Sequence, residues 1–326
     1  MKLWGSSGLR RATIRSRTAL ERIWANVSLN DHDTKDGLTI RDDVPRTTAT
    51  VLATITDKSE AKRASLRPPA TWQAYDHYLR AVTAWASFQS SWKLENLLET
   101  RRHLAESLKI DPQYARTHSL LASTHRVAWL NPLNDEYLNP PALDRAIALA
   151  CMAIELDPNL PEAYAELAYT IVRKRNFDAA AAAAEKAIAL NPNFADYRVA
   201  QVLFSVGEPL RAIEIAKAQM RLDPFHPHFA PLIAGEACYL LKQYHEAQHW
   251  LREATRRAPN HQYGHAFLAA TYAQLQQLEG AHAEAAKVLR LNPSYTIGKQ
   301  KEVSVLKRQE DVDHVVDGLR RAGLPE

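Results

Sequence analysis

Residues 161–192 read PEAYAELAYTIVRKRNFDAAAAAAEKAIALNP and contain two blocks of apolar residues. The first block is Tyr164, Leu167, Ala168 and Ile171, and the second is Phe177, Ala180, Ala184, Ala187 and Ile188. A spacing of three or four positions places such residues along one side of an α-helix. The polar pair Arg175 and Asn176 separates the blocks, so the stretch predicts two antiparallel helices joined by a short turn.

Proline marks the ends of such stretches at a nearly regular interval. Beginning at Pro112, the positions are Pro158, Pro192, Pro224, Pro259 and Pro293, in steps of 46, 34, 32, 35 and 34 residues. Asp or Asn precedes every one of these prolines except Pro259. Because proline disfavours helix at the preceding residue and fits the first turn of the next helix, each position predicts a helix boundary. The period predicts a solenoid of helical hairpins.

The apolar pattern resembles the tetratricopeptide repeat, which has large and small apolar residues at fixed offsets and a closing proline. The resemblance implies an all-α, right-handed α-solenoid of tandem helix-turn-helix repeats. Small residues are expected where the two helices of a hairpin cross, because a larger side chain would hold the backbones apart. On first helices these are Ala168, Ala200, Gly235 and Ala269, and on second helices Ala180, Ala212, Ala247 and Ala281.

The chain divides into three predicted parts. Residues 1–67 form an N-terminal segment that is partly disordered or the remnant of an upstream module, with a helix near residues 42–64. Residues 70–308 form an array of about six repeat units, one of which carries an insertion around residues 131–141. Residues 309–326 form a C-terminal helix and tail, which we expect to cap the last repeat, because an open solenoid has to cover its final apolar face.

A narrower resemblance rests on AYDHYLRA at residues 74–81 and GLRRAGLPE at residues 318–326. These stretches are similar to the repeat region at the C-terminal end of bacterial class III adenylate or guanylate cyclase-like proteins. The resemblance implies a detached regulatory region of such a signalling protein. The cyclase domain is absent, since no segment offers two metal-binding carboxylates on a strand-rich core, and we do not expect cyclase activity.

Charge and composition exclude several function classes. The 326 residues carry a formal charge of +4, but residues 1–67 contribute +5 and the rest −1. The main body thus lacks the basic field typical of nucleic-acid readers. It has no uninterrupted apolar run long enough for a membrane span. Two cysteines far apart favour a reducing, cytoplasmic location. Glycine-rich phosphate loops are absent, and we expect no cofactor.

One sequence motif suggests metal chemistry. His245, Glu246 and His249 match H-E-x-x-H, in which two histidines bind zinc and the glutamate activates water. A third ligand would have to be His261, His265 or His282, none of which has the spacing of a known zinc hydrolase family. Ala247 is a helix-crossing residue, so the motif lies within a repeat. We interpret it as a chance match and predict no metal site and no catalytic residue.

The remaining candidate site is the concave groove of the array, where first helices would contact a protein or peptide partner. The repeat register places Arg126, Tyr169, Val172, Arg173, Gln201, Phe204, Glu236 and Tyr239 there. Tyr169, Phe204 and Tyr239 would equally suit packing between adjacent repeats. The hypothesis is a non-catalytic interaction scaffold. The sequence identifies no partner and leaves association into homo-oligomers open.

Overall fold

The computed structural model describes residues 70–191 and 193–326. The predicted segment 1–67, with its helix near residues 42–64, lies outside the described residues. Within the described part the chain forms α-helices, one short 3-10 helix and turns, and no β-strand. The predicted all-α fold class is confirmed.

Twelve helices in the described part are arranged as six successive hairpins. The pairs are α1 (Ala70–Ser91) with α2 (Leu94–Ile110), α3 (Ala115–Leu130) with α4 (Pro140–Leu156), α5 (Pro161–Ile171) with α6 (Phe177–Leu190), α7 (Tyr197–Val206) with α8 (Pro209–Leu222), α9 (Phe229–Leu240) with α10 (Tyr244–Arg257), and α11 (Gln262–Gln274) with α12 (Leu278–Leu291). A 3-10 helix, Val172–Lys174, continues α5. Two shorter elements, α13 (Ile297–Val303) and α14 (Gln309–Arg321), follow the sixth hairpin.

An aspartate or asparagine side chain builds most turns between hairpins. Its Oδ1 accepts a hydrogen bond from the backbone N–H two residues later, at 3.0 Å for Asp111, Asp157 and Asn191, 2.8 Å for Asp223 and 3.2 Å for Asn292. The sequence places proline between the two bonded residues, and proline has no N–H to satisfy. Such side-chain turns compete with helix, which explains why the helices end at the predicted period.

The two helices of a hairpin cross closely at small residues. The eight predicted crossing positions include seven alanines, all with no measurable exposure. At Gly235, an added Cβ would lie 2.6 Å from Cγ of Leu251 and 3.1 Å from its backbone nitrogen. A Cβ atom is essentially never found within 2.6 Å of another carbon that is not bonded to it. The helices α9 and α10 therefore approach each other this closely only because residue 235 is glycine.

The array curves until its early hairpins touch its late ones. The Trp92 ring, just after α1, stacks on the His261 ring with 4.5 Å between centroids. The Tyr263 hydroxyl, at the start of α11, donates a hydrogen bond of 3.0 Å to the carbonyl oxygen of Leu130 at the end of α3. The first helices therefore surround an inner groove. No helix in residues 70–326 combines the length and apolar character needed to cross a bilayer.

Candidate binding groove

First helices of the middle and late hairpins line the inner groove. The aromatic side chains of Tyr169, Phe204, Phe229, Tyr263 and Phe267 line it. Polar groups from Arg173, Gln201 and Glu236 lie among them. The combination of flat aromatic faces with a few polar groups is typical of surfaces that bind peptide segments.

The groove is filled by the end of the same chain. We name residues 303–321 the C-terminal strap. Its first part consists of Val303, the last residue of α13, and the non-helical residues 304–308. Val303, Val305 and Leu306 are only 6%, 5% and 8% exposed. The Lys307 backbone N–H donates to the Ser205 carbonyl oxygen at 2.8 Å. Apolar side chains and backbone hydrogen bonds thus hold this part as an extended peptide would be held.

Side chains on the edge of the groove hold the residues at the beginning of the strap. Arg173 Nη1 lies 3.5 Å from the carbonyl oxygen of Val303, and Arg175 Nη2 donates to the carbonyl oxygen of Lys301 at 3.2 Å. Both guanidinium groups contact backbone oxygens of this segment, and the carbon of the Arg173 guanidinium also lies 4.8 Å from the centre of the Tyr169 ring. The contacts with backbone oxygens would be available to a peptide of different sequence.

The second part of the strap is α14, which lies on α11 and contacts α9. Val315, Val316 and Leu319 are buried on its inner side. At Gly318, an added Cβ would overlap the Tyr239 hydroxyl oxygen and would lie 2.9 Å from the Ala270 Cβ. The helix therefore docks at this depth only because residue 318 is glycine.

The predicted C-terminal helix packs on the last repeat. Within the described residues, α14 lies mainly on α11, the first helix of the sixth hairpin, on the groove side. The backbone N–H of Ile297 donates to the Pro325 carbonyl oxygen at 2.7 Å, which brings the tail back to α13. The sequence predicted a helix that caps the last repeat, but it did not indicate that this helix lies on the groove side.

The structure brings six of the eight predicted groove residues around the strap. Tyr169, Arg173, Gln201, Phe204 and Glu236 line the groove, and Tyr239 contacts α14. Val172 lies in the hydrophobic core with no exposure. It follows Ala165 and Ala168 at helical spacing and lies on the same helix face as these two residues, which are buried in that core.

Arg126 lies behind the groove in a buried ion cluster. Its Nε donates to Glu166 Oε1 at 2.7 Å, and its guanidinium carbon lies 4.2 Å from the centre of the Tyr169 ring. Arg198 also contacts Glu166, at 3.2 Å. Burial would raise the pKa of Glu166, but the two guanidinium groups hold it below its ordinary value. The cluster fixes Tyr169 from behind, which makes Arg126 a supporting residue for the groove surface.

Glu236 is a buried acid on the groove wall, with 6% exposure. Burial raises its pKa to about 8, and the nearby positive charge of Arg173 opposes that rise. At neutral pH the side chain is therefore mostly protonated. It can donate one hydrogen bond in that state, and a partner that brings a positive charge would favour its ionised form.

The H-E-x-x-H residues lie away from the groove. His245, Glu246 and His249 are exposed on α10, beside Gln248, Arg252 and Glu253. Residues 70–191 and 193–326 contain no group of three or more His, Cys, Asp or Glu side chains arranged to hold a metal ion.

The three proposed third ligands are not placed to complete that motif. His265 Nδ1 lies 2.5 Å from Glu284 Oε2, in a buried pair. His261 is buried against Trp92, and burial lowers its pKa to about 3. His282 is exposed on α12.

Sequence reasoning missed two features of the groove. The strap residues Val303, Val305 and Leu306 have an apolar pattern, but nothing local indicates that they turn inward. The cluster of Trp92, His228 and His261 depends on contacts between the first and last hairpins. Only the curvature of the whole array brings these residues together.

Comparisons with known proteins agree with this architecture. Residues 173–254 match the family model described as "Anaphase-promoting complex, cyclosome, subunit 3". A curated relative, "Putative adenylate cyclase 3" of Rhizobium meliloti (strain 1021), is 29% identical over 150 residues, which is 46% of this chain. The chain spans only 24% of the length of that relative.

Two solved structures illustrate the structural similarity. "Crystal structure of APC/C hetero-tetramer Cut9-Hcn1" has a TM-score of 0.55 and 18% identity, covering 79% of this chain and 48% of that one. The crystal structure of a thermophilic TPR protein from Thermus thermophilus has a TM-score of 0.43 and 19% identity, covering 56% of this chain and 98% of that one. The repeated hairpins, their small crossing residues, the family-model match and the similarity to Cut9-Hcn1 show that the array has the fold of tetratricopeptide-repeat proteins.

Proposed function

We propose that this protein is a non-catalytic interaction scaffold whose inner groove binds a segment of a protein partner. One observation carries the proposal: the groove already holds an extended apolar segment of the chain through side-chain burial and backbone hydrogen bonds. A surface that accommodates residues 304–306 in this way has the shape and chemistry for a peptide of similar build.

The groove residues have distinct roles in this proposal. Tyr169, Phe204 and Tyr239 offer aromatic faces for apolar side chains, and Arg126 holds Tyr169 in place from behind. Arg173 and Gln201 offer hydrogen bonds to backbone groups of the partner, and Glu236 sets the charge at that wall. Val172 contributes only through the core on which α5 rests.

The proposal also covers the ligands, partners and location that the sequence analysis considered. We assign no cofactor, no nucleic-acid partner and no membrane partner to the array. Its location is proposed to be the cytoplasm, which suits the free thiols of Cys151 and Cys238. Association of copies of the chain is left to measurement of its mass in solution.

The test compares partner capture by two double variants of the full chain. Arg173→Ala with Gln201→Ala removes polar groups from the groove, whereas His245→Ala with His249→Ala removes exposed side chains from α10. Both proteins are checked for an unchanged thermal transition and used for quantitative co-purification from the native host. We expect the groove variant to lose its principal partner and the α10 variant to retain it. Equal capture by both variants contradicts the proposal.

A second candidate function has support from the similarity to the putative adenylate cyclase. In this alternative, the array is a regulatory region that controls a cyclase-like catalytic partner through the same groove. Recovery of a cyclase subunit that depends on Arg173 and Gln201 would favour it. Recovery of other proteins only would leave the general scaffold as the function.

A further inference from the structure

The fit between the strap and the groove is incomplete. A pocket of about 70 Å³ remains between them, with Arg173, Glu236 and Gln300 among its lining residues. Among the described residues, the buried Nε of Arg173 and Oε1 of Gln300 find no hydrogen-bond partner. Buried polar groups in native proteins are normally satisfied, so the strap leaves binding capacity of the groove unused.

The strap is also separable from the repeats. All six hairpins are complete without the strap, because each consists of two helices that precede it. The strap helix α14 lies mainly on first helices and on α13. The outer side of α14 is polar, with exposed Asp313 and Arg320. Lys307 and Arg308, which join the non-helical part of the strap to α14, are exposed as well. Departure of the strap would expose the groove without dividing any hairpin.

We infer that the partner carries a segment built like the strap and enters the groove by displacing it. The segment has aliphatic residues spaced as Val303, Val305 and Leu306, followed by a short amphipathic helix. A small residue in that helix would face Tyr239, as Gly318 does, and an acceptor would satisfy Arg173 Nε. This inference rests on the proposed function. It adds the chemical class of the partner that binds in the groove and the way in which the strap regulates that binding.

Competition by the strap has a predictable strength. A tethered segment acts at an effective concentration in the millimolar range when its linker spans the distance to its site. An external segment of equal intrinsic affinity therefore binds the closed protein weakly. A partner that also satisfies Arg173 gains over the strap, because it repairs a buried donor that the strap leaves unpaired.

Gly318 provides a way to release the strap from the full chain. In Gly318→Leu, the new side chain would overlap the Tyr239 hydroxyl and the Ala270 Cβ. The overlap exists only while α14 is docked, so the substitution spares the six hairpins. Asp313→Leu is the matched control, because it adds the same side chain to an exposed position of the same helix. The probe is a fluorescent synthetic peptide of residues 299–323.

The experiment measures hydrogen exchange of residues 303–321 and binding of the probe peptide, for the wild-type chain and both variants. In Gly318→Leu we expect strap amides to exchange at least about 100-fold faster while α5, α7 and α9 stay protected. We expect that variant to bind the peptide at least about tenfold more tightly than the wild type. Asp313→Leu should behave as the wild type in both measurements.

The other outcomes separate this inference from the proposed function. Equal peptide affinity of the wild type and a released variant means that the strap does not compete, so the inference fails and the groove remains a binding site. Absence of peptide binding to a released variant contradicts both.

If Gly318→Leu keeps its strap protected, the double variant Val305→Asp with Leu306→Asp is measured beside Gln309→Asp. Protection retained there as well overturns the inference. Concentration-dependent dimers of a released variant would identify a second copy as the occupant and would also overturn it.

Discussion

The hydroxyl of Tyr239 donates a hydrogen bond of 3.0 Å to the backbone carbonyl of His314, and the two rings stack with 4.6 Å between centroids. Tyr239 is fully buried on α9, while His314 belongs to the helix that ends the chain. One side chain of the repeat array therefore anchors the strap. Its loss should loosen the strap before it affects the hairpins.

Replacement of that hydroxyl tests the anchor. Tyr239→Phe removes the donor and leaves the His314 carbonyl without this bond, at a cost of about 1 kcal/mol. We expect strap amides to exchange about fivefold faster, with little change in α5 and α7. In a chain that carries Tyr239→Phe, Gly318→Ala should accelerate strap exchange less than it does in the wild type, because the oxygen that the added Cβ would overlap is gone. Equal effects of Gly318→Ala in both backgrounds would contradict the docking geometry.

The buried ion cluster predicts a large loss of stability from a small change. Glu166→Gln leaves Arg126 and Arg198 buried without their shared carboxylate, and we expect a loss of about 3–5 kcal/mol in the free energy of unfolding at pH 7. Glu185→Gln is the control, because its pair with Arg211 is exposed and should contribute less than about 1 kcal/mol. Urea unfolding of both variants measures the difference.

The pH dependence of that loss has a defined sign. Because the folded protein holds the pKa of Glu166 below the ordinary value of 4.5, its contribution is present above that value. It declines as the pH falls through the lowered pKa. The stability difference between wild type and Glu166→Gln should therefore shrink in acid. A difference that grows as the pH falls would contradict the assignment.

The ionisation of Glu236 predicts a pH dependence of stability opposite to that from Glu166. Its folded pKa of about 8 lies above the ordinary value of 4.5, so the unfolded chain releases this proton first as the pH rises. Stability from this group is complete below pH 4.5 and is lost progressively up to about pH 8. The free energy of unfolding of Glu236→Gln should exceed that of the wild type by on the order of 2–4 kcal/mol at about pH 8.5 and should equal it at about pH 4.

The exposed acid Glu246 supplies the control for the substitution itself. Glu246→Gln makes the same change of side chain at an exposed position and should alter the free energy of unfolding at pH 7 by less than about 0.5 kcal/mol. Thermal unfolding between about pH 4 and about pH 9 measures all three proteins. Parallel curves for wild type and Glu236→Gln would show that Glu236 ionises in the folded protein as it does in water.

Gly235 tests the close crossing of a hairpin. Gly235→Ala places its Cβ against Leu251 and should reduce stability by about 1–3 kcal/mol. The loss of stability in the double variant Gly235→Ala with Leu251→Ala should be smaller than the sum of the losses in the two single variants. Gly298→Ala on α13 is the control, because its nearest neighbour would lie at an ordinary 3.6 Å. Equal melting temperatures for Gly235→Ala and Gly298→Ala would contradict the crossing.

The hairpins were predictable because their signals are local. Asp111, Asp157 and Asn292 build their turns through hydrogen bonds to a backbone N–H two residues away, so the sequence itself displays the period. The small crossing residues follow from the same register. These features are sufficient to predict an all-α repeat array, and the structure confirms that prediction.

The groove was only partly predictable. The register placed Tyr169, Phe204 and Glu236 on inner faces, and their role in binding a partner stays a prediction. Val172 lies in the core on the helix face of Ala165 and Ala168, so its assignment to the groove was wrong although the helical period indicated burial. Contacts such as Ser205 with Lys307 depend on the curvature that accumulates over several repeats, so no local pattern indicates that the C-terminal residues enter the groove.

The most direct test is hydrogen exchange of the full wild-type chain with and without a saturating concentration of the peptide of residues 299–323. The account predicts that α5, α7 and α9 keep the protection they have in the closed chain, because the peptide takes the place of the strap, while the chain's own residues 303–321 lose protection. Unlabelled chain and isotopically labelled peptide keep the two identical segments distinguishable by mass. Peptide binding that leaves residues 303–321 protected, or that protects α10 instead, would contradict the claim that the inner groove is the binding surface and the strap its occupant.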